Sequence, residues 1–316
     1  MMLLSRVADS LYWICRYLER AEHTARVVDV AVDLGLGRAS TKEGGAIERL
    51  YGSLGLPPGD TASCFDAAFF ETSNRNSVIA CITAARENAR QVREEISSDM
   101  WQQLNGLFLR IRQMRGDASR VARTHFVSRL VIEGVHLFQG ITDATMGHGE
   151  GWQYLQAGRF LERAGSTATL LDRFMAHGAD PSDRPAPLDQ TDLVALLRSC
   201  SALEAYCRHY TADVRPERVT EFLLLDADFP RSIRFAAGAA ESALRALSRL
   251  SGRRAGGDAE RLAGRLHASL DYGRVDEILN DNPHAYLTDI HRQCTQIHTA
   301  LYQTYVTYPI ETALPA

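Results

Sequence analysis

Lysine is nearly missing from this chain. Lys42, within Arg38-Ala39-Ser40-Thr41-Lys42-Glu43-Gly44-Gly45, is the only one in 316 residues. Walker-type phosphate loops, protein kinases and Schiff-base enzymes each use a positioned lysine. No G-x-x-x-x-G-K-[ST] or G-x-G-x-x-G follows a strand either. The chain is therefore not expected to hydrolyse ATP, or transfer from it, by itself. Organised cysteine is lacking too. Cys15, Cys64, Cys81, Cys200, Cys207 and Cys294 are scattered without a C-x-x-C pair. Cys200 and Cys207 share a helical face, but nothing nearby completes a metal set. They read as reduced thiols of a cytoplasmic protein.

Other absences narrow the function further. No stretch approaches the ~18 consecutive apolar residues of a membrane span. Arg6 and Asp9 interrupt the N-terminus before a signal-like apolar core forms. A net charge of -4, with arginines interleaved among Asp and Glu, gives no ground for sequence-independent nucleic-acid binding. His125, His136 and His148 share a region with Asp143 and Glu150, yet no H-E-x-x-H defines a metal site. No serine or cysteine sits in a nucleophile elbow. Neither a metal nor a cofactor is expected. Strand signals are missing as well, since no N-G or D-G dipeptide joins alternating β-branched runs.

What is present is helical period. Leu11, Ile14, Leu18, Ala21, Ala25, Val28 and Val32 step by three or four residues, as do Val78, Ile82, Ala85, Ala89, Val92 and Ile96. A long helix is expected over 117–146, with a counterpart over 286–305 and Pro309 as the stop. Loops are expected at 35–45, 55–60, 178–192 and 251–258. Three glycines in Gly147-His148-Gly149-Glu150-Gly151 mark a seam.

The chain also repeats itself. Arg16-Tyr17-Leu18-Glu19-Arg20-Ala21-Glu22-His23-Thr24-Ala25-Arg26-Val27-Val28-Asp29 returns as Arg159-Phe160-Leu161-Glu162-Arg163-Ala164-Gly165-Ser166-Thr167-Ala168-Thr169-Leu170-Leu171-Asp172. Eight of the fourteen positions are identical, where composition alone gives about one. Ser77-Val78 with Ala84-Ala85 similarly resembles Ser232-Ile233 with Ala239-Ala240. The expected architecture is all-α: an internally duplicated helical bundle with two pseudo-symmetric halves, 1–148 and 149–316, sharing a core.

Within the repeat, Arg16, Glu19, Arg20 and His23 fall opposite the apolar arc of their helix. Glu19 is three residues from Arg16 and four from His23, so these groups can touch along one stripe. Arg159, Glu162 and Arg163 keep the arrangement. Such a stripe can be a solvated, salt-bridged face worth ~0.3–0.5 kcal/mol per pair. It can also lie in a cleft or between the halves. The flanking Glu22, His23 and Arg26 became Gly165, Ser166 and Thr169 while Arg, Glu and Arg stayed, which favours enclosure. Enclosed guanidiniums make a carboxylate or phosphate receptor. Glu19 or Glu162 would then orient them or act as a general acid/base, and a structural version has crossed Arg–Glu pairs fixing the packing register. A second charged helix offers Arg86, Glu87 and Arg90, with Arg90–Glu94 pairing and a solvated face as the plainer reading.

Leu11-Tyr12-Trp13 before Arg16-Tyr17-Leu18-Glu19-Arg20-Ala21-Glu22, then Ala85-Arg86-Glu87-Asn88-Ala89-Arg90, Met100-Trp101, Phe229-Pro230-Arg231-Ser232-Ile233 and the second Leu161-Glu162-Arg163-Ala164, resembles the bacterial alpha-E family. That resemblance spans essentially the whole chain. It implies an α-helical fold with a duplicated Glu-Arg motif, here Glu19-Arg20 and Glu162-Arg163. It also implies work in a peptide synthesis or modification system beside circularly permuted ATP-grasp ligases, a transglutaminase-like protease and an NTN-hydrolase-type peptidase. The expected role is thus a non-ATPase component that binds a carboxylate-bearing peptide or an acidic partner surface. An enzyme and a purely structural scaffold are the alternatives, and homo-oligomerisation is left open. The second copy lacks a Glu22 equivalent and an aromatic pair matching Tyr12-Trp13, so the halves need not be equivalent in function.

Overall fold

A computed structural model describes residues 3–37, 45–57, 59–114, 124–175, 188–211, 213–250 and 257–306. Among them there are helices and no strands. The elements are α1 (Ser5–Gly37), α2 (Gly45–Ser53), α3 (Thr61–Phe69), α4 (Val78–Gln91), α5 (Ser98–Met114), α6 (Thr124–Thr145), α7 (Glu150–Met175), α8 (Gln190–Ser199), α9 (Leu203–Tyr210), α10 (Pro216–Leu225), α11 (Ile233–Leu250), α12 (Asp258–Asp271), α13 (Val275–Asn280) and α14 (Pro283–Leu301), closed by a π turn at Tyr302–Val306. The expected helix start near 117, Lys42 and Pro309 lie outside the described residues. Of the three glycines near 147–151, Gly147 and Gly149 fall in the turn between α6 and α7 and Gly151 lies in the first turn of α7.

Helix starts follow their capping residues. Ser77 accepts from the Ala80 amide at the head of α4, and Ser232 accepts from the Phe235 amide at the head of α11. Each hydroxyl satisfies one orphan donor of a helical first turn. The preceding turns also match. Ser77 N–H donates to the Asn74 carbonyl and Ser232 N–H to that of Phe229. Asp189 and Asp192 form a capping box at α8, and Asn282 caps α14 ahead of Pro283.

The repeat-bearing helices α1 and α7 lie at the centre, side by side and pointing the same way. Leu11 lies against Gly151, Tyr12 against Gly158 and Glu19 against Arg163. At Gly158 the backbones nearly touch: a Cβ there would sit 2.2 Å from the Tyr12 carbonyl oxygen. Only glycine fits that approach. Around this pair, α4 and α6 pack on α1 with α5 closing the group, and α11 and α14 pack on α7 with α12 closing it. One apolar core runs through both groups, including Leu11, Ile14, Leu18, Leu161, Leu171, Ile233 and Ile290.

Central placement decides between the two readings of the stripe. A helix wrapped on nearly every side has no solvated face, so Glu19, Glu22 and His23 are buried rather than arrayed along an outer stripe. The Arg16–Glu19 and Glu19–His23 contacts within α1 do not form; the carboxylates instead meet arginines from the neighbouring helix.

Candidate functional site: two flanks of the α1/α7 interface

Parallel packing of two like helices places their Glu-Arg dipeptides on opposite flanks of the shared interface. On the first flank, Arg163 donates from Nε and Nη2 to Glu19 Oε1 and Oε2 at 2.6 and 2.9 Å. On the second, Arg20 donates from Nε and Nη2 to Glu162 at 2.6 and 3.1 Å. The pairs are reciprocal, with each motif glutamate held by the other motif's arginine. This is the crossed arrangement open at sequence level. The third guanidinium nitrogen follows suit, Arg163 Nη1 reaching the Pro230 carbonyl at 3.1 Å and Arg20 Nη1 reaching Asn76 Oδ1 at 2.9 Å.

Beyond this shared frame the flanks diverge. Around Glu19 the space is filled with charge. Arg231 puts Nη2 2.7 Å from Glu22 Oε1 and Nη1 3.6 Å from Glu19. Arg26 bonds both Glu22 and the Ser201 hydroxyl. His136 Nε2 lies 3.3 Å from Glu22, and the Gln139 amide donates to Glu19 at 3.4 Å. Glu19 and Arg163 are only 1% and 4% exposed. Burial pushes both Glu19 and Glu22 up, but guanidiniums override it: Arg163 and Arg231 hold Glu19 low, and Arg231 and Arg26 hold Glu22 well below the usual carboxylate range.

Around Glu162 the space is open. Arg16 joins Arg20 on the one carboxylate, its Nε 2.7 Å and Nη2 2.6 Å from Oε2, while its Nη1 donates to the Tyr12 hydroxyl at 2.9 Å. Burial raises the Glu162 carboxyl, and Arg16 and Arg20 more than reverse this, bringing it down to about 2. A cavity of about 380 Å³ adjoins these groups, lined also by His23, Leu54, Asn76, Gly165, Ser166, Thr169, Arg173, His291 and Cys294. The replacements explain the void. Gly165 stands at the repeat position of Glu22, and Thr169 at that of Arg26. Asn76 occupies the place in the turn before α4 that Arg231 occupies before α11.

Other expected residues fall elsewhere. Arg159, the repeat equivalent of Arg16, forms no ion pair among the described residues; its Nε is buried without an acceptor there and its guanidinium lies 5.1 Å from the Phe160 ring. The second cation near Glu19 is instead Arg231, 3.6 Å away. Arg86 bonds Asn105 and Glu87 and lies over Trp101 and Phe108, while Arg90 pairs with Glu87 at 2.8 Å instead of Glu94. That group belongs to the α4/α5 contact and shares no ion pair with the interface carboxylates. His125 lies between Asp29 and Asp33, and His148 stacks on Trp152. Among the described residues no His, Cys, Asp and Glu group of metal-binding size occurs. The cysteines are unpaired, and burial pushes the Cys294 thiol beside the cavity up to about 12, far from thiolate chemistry at neutral pH. No helix among the described residues is long and apolar enough to cross a membrane.

Arg231, Glu22, Arg26, Asn76, Arg173 and His291 were not singled out from the sequence as site residues, apart from their places in the repeat and family segments. A signal existed: the carboxylate of Glu22 and the cation of Arg26, one helical turn apart, are lost together in the second copy.

The fold and site define an all-helical protein whose two central helices are joined by reciprocal Glu–Arg pairs. The chain belongs to the Alpha-E family, described as a predicted alpha-helical domain with a conserved ER motif, which matches residues 3–306. Uncharacterised proteins of Mycobacterium bovis and Mycobacterium tuberculosis are 25% identical to it over 253 residues, and a second M. tuberculosis protein is 24% identical. These matches take in 72% of this chain but 28% of each relative, so the chain spans less than a third of their length. No solved structure matches.

Proposed function

We propose that this chain is a non-ATPase component of a peptide synthesis or modification system, holding a carboxylate-bearing peptide for an ATP-grasp-type amide ligase. The observation that carries the reading is the pairing of two guanidiniums, Arg16 and Arg20, with the single carboxylate of Glu162 at the wall of a cavity. One positive charge is left over there, and each guanidinium keeps N–H groups beyond those Glu162 uses. Partly desolvated guanidiniums of this kind recognise carboxylates by bidentate hydrogen bonding. The division of labour agrees with the sequence, because a single lysine at Lys42 gives the chain little with which to handle ATP phosphates. It agrees also with the relatives, in which most of the polypeptide lies outside the match. The transglutaminase-like protease is a further partner implied by the resemblance. We also place the two four-helix groups, split near residue 148, as products of a duplication.

A general acid/base role for Glu19 or Glu162 has less support. An effective base has a pKa near the operating pH, whereas Arg16 and Arg20 hold Glu162 down at about 2 despite its burial. Glu19 is sealed. The test is ligase-dependent product formation, with co-purification of the ligase, in wild-type and Arg20→Ala protein. Loss of either in a folded Arg20→Ala variant supports the proposal. Undiminished association together with undiminished product rejects it.

A further inference from the structure

We propose that the Glu162 flank is a single site for a small organic acid or the C-terminal residue of a peptide, and that the Glu19 flank is the same site closed from within by Glu22. The inference rests on the reading that this interface receives a carboxylate, and adds which flank, how many, and how large.

On the closed flank the protein supplies its own acid: the Glu22 carboxylate lies beside Glu19, neutralised by Arg231 and Arg26. On the open flank Gly165 removes that carboxylate, and Thr169 and Asn76 remove the bulk of its two cations. Space remains, and so does the surplus charge of Arg16 and Arg20 over Glu162. Arg173 adds a second positive charge on the cavity lining. A ligand carboxylate entering beside Gly165 would occupy the position Glu22 fills on the other side.

Charge and volume select the ligand class. The surplus of Arg16 and Arg20 over Glu162 is one unit, which a carboxylate monoanion matches; Arg173 is exposed and its charge is screened by solvent, so a phosphate dianion would carry excess negative charge beside the ionised Glu162. A volume of about 380 Å³ lies at the low end of the roughly 300–1,000 Å³ range of small-molecule sites. It suits one small acid or a peptide terminus, and excludes a folded acidic surface. Leu54, Leu161 and Cys294 supply apolar wall for a short side chain.

Isothermal titration of the whole chain with N-acetyl-alanyl-alanine, its C-terminal amide and inorganic phosphate tests this without any partner protein. The expected result is one acid bound per chain, at least tenfold weaker binding of the amide and of phosphate, and loss of binding in Gly165→Glu. A Cβ at Gly165 meets its nearest neighbours, His291 and Cys294, at 3.7 and 4.0 Å. The backbone therefore accepts a side chain, which then fills the cavity as Glu22 fills the other flank. Arg173→Ala, at an exposed position, should weaken the acid several-fold with the fold intact, and stands in if Gly165→Glu does not fold. Two equivalent sites, equal affinity for acid and amide, tighter binding of phosphate, no saturable binding, or acid binding indifferent to the substitutions would each overturn the inference. Failure here with intact ligase association would leave the partnership standing; acid binding without ligase association would leave the site standing.

Discussion

The Glu19 and Glu162 flanks are built from the same two dipeptides, yet one is filled by a further buried carboxylate and its arginines and the other adjoins a cavity. Their comparison separates two jobs that a repeated motif can do. What the flanks share, a motif glutamate bound across the interface by the other motif's arginine, sets the register of α1 on α7. What they do not share, Glu22, Arg26 and Arg231 against Gly165, Thr169 and Asn76, decides whether there is room for anything else. The dipeptide is thus a clamp on both sides and lines an open cavity on one.

The largest effect should come from breaking the clamp where it is most buried. Arg163→Ala leaves the Glu19 carboxylate at 1% exposure with Arg231, 3.6 Å away, as its remaining ion pair among the described residues. Removing one member of a buried pair costs about 3–5 kcal/mol, to be read from denaturant midpoints at constant m. Arg20→Ala on the open flank leaves Glu162 with Arg16, so only hydrogen bonds to a charged acceptor are lost, about 2 kcal/mol. Equal losses from the two variants would erase the distinction between the flanks.

Acid should come next. Glu162 is held at about 2 against an ordinary 4.5, so its pairing contributes stability that is complete above pH 4.5 and lost as pH falls toward 2. By linkage this is about 3 kcal/mol. His23 and His298 act at milder pH. Burial lowers each from 6.5 to about 4, helped for His298 by Arg16. The unfolded chain therefore takes up protons first, and stability declines as pH drops from 6.5 to 4. Thermal midpoints should be level above pH 7 and fall in two stages below it. Glu162→Gln should shrink the lower stage, which Glu19 and Glu22 share, and His23→Gln should reduce the upper one, leaving the part that belongs to His298.

How much of this was visible in the sequence depends on the element. The helices were legible because Leu11 to Val32 and Val78 to Val92 keep a 3.6-residue period, and the central pair announced itself through the repeat. The burial of Glu19, Glu22 and His23 was legible only through the repeat, which kept Arg, Glu and Arg while their neighbours changed. Periodicity places them opposite the apolar arc, but it cannot distinguish a face turned to water from one meeting a second charged helix. The Arg90–Glu94 expectation failed for a local reason: α4 ends at Gln91, so residues 90 and 94 do not stack. The cavity is a tertiary consequence of residues in α1, α7, α14, the turn after α2 and the turn before α4. Only its loss of Glu22 and Arg26 equivalents was written in one segment.

The smallest effect should separate motif residues by environment rather than by alignment. Arg16 and Arg159 occupy the same position of the repeat. Arg16 holds Glu162 through two nitrogens and Tyr12 through the third. Arg159 has a buried Nε with no acceptor among the described residues, and burial pulls its guanidinium below the usual arginine range, with Arg163 adding repulsion. Replacing Arg159 with Met discards that uncompensated donor and the contact with Phe160 together. Each is worth roughly 1 kcal/mol with opposite sign, so Arg159→Met should move the unfolding midpoint little in either direction. Arg16→Met should lower it clearly. If Arg159→Met proved as damaging as Arg16→Met, Arg159 would have a partner that its surroundings do not reveal. The Glu19 flank would then be an intact counterpart of the other in its arginines, and the asymmetry would rest on Glu22 and Arg231 alone.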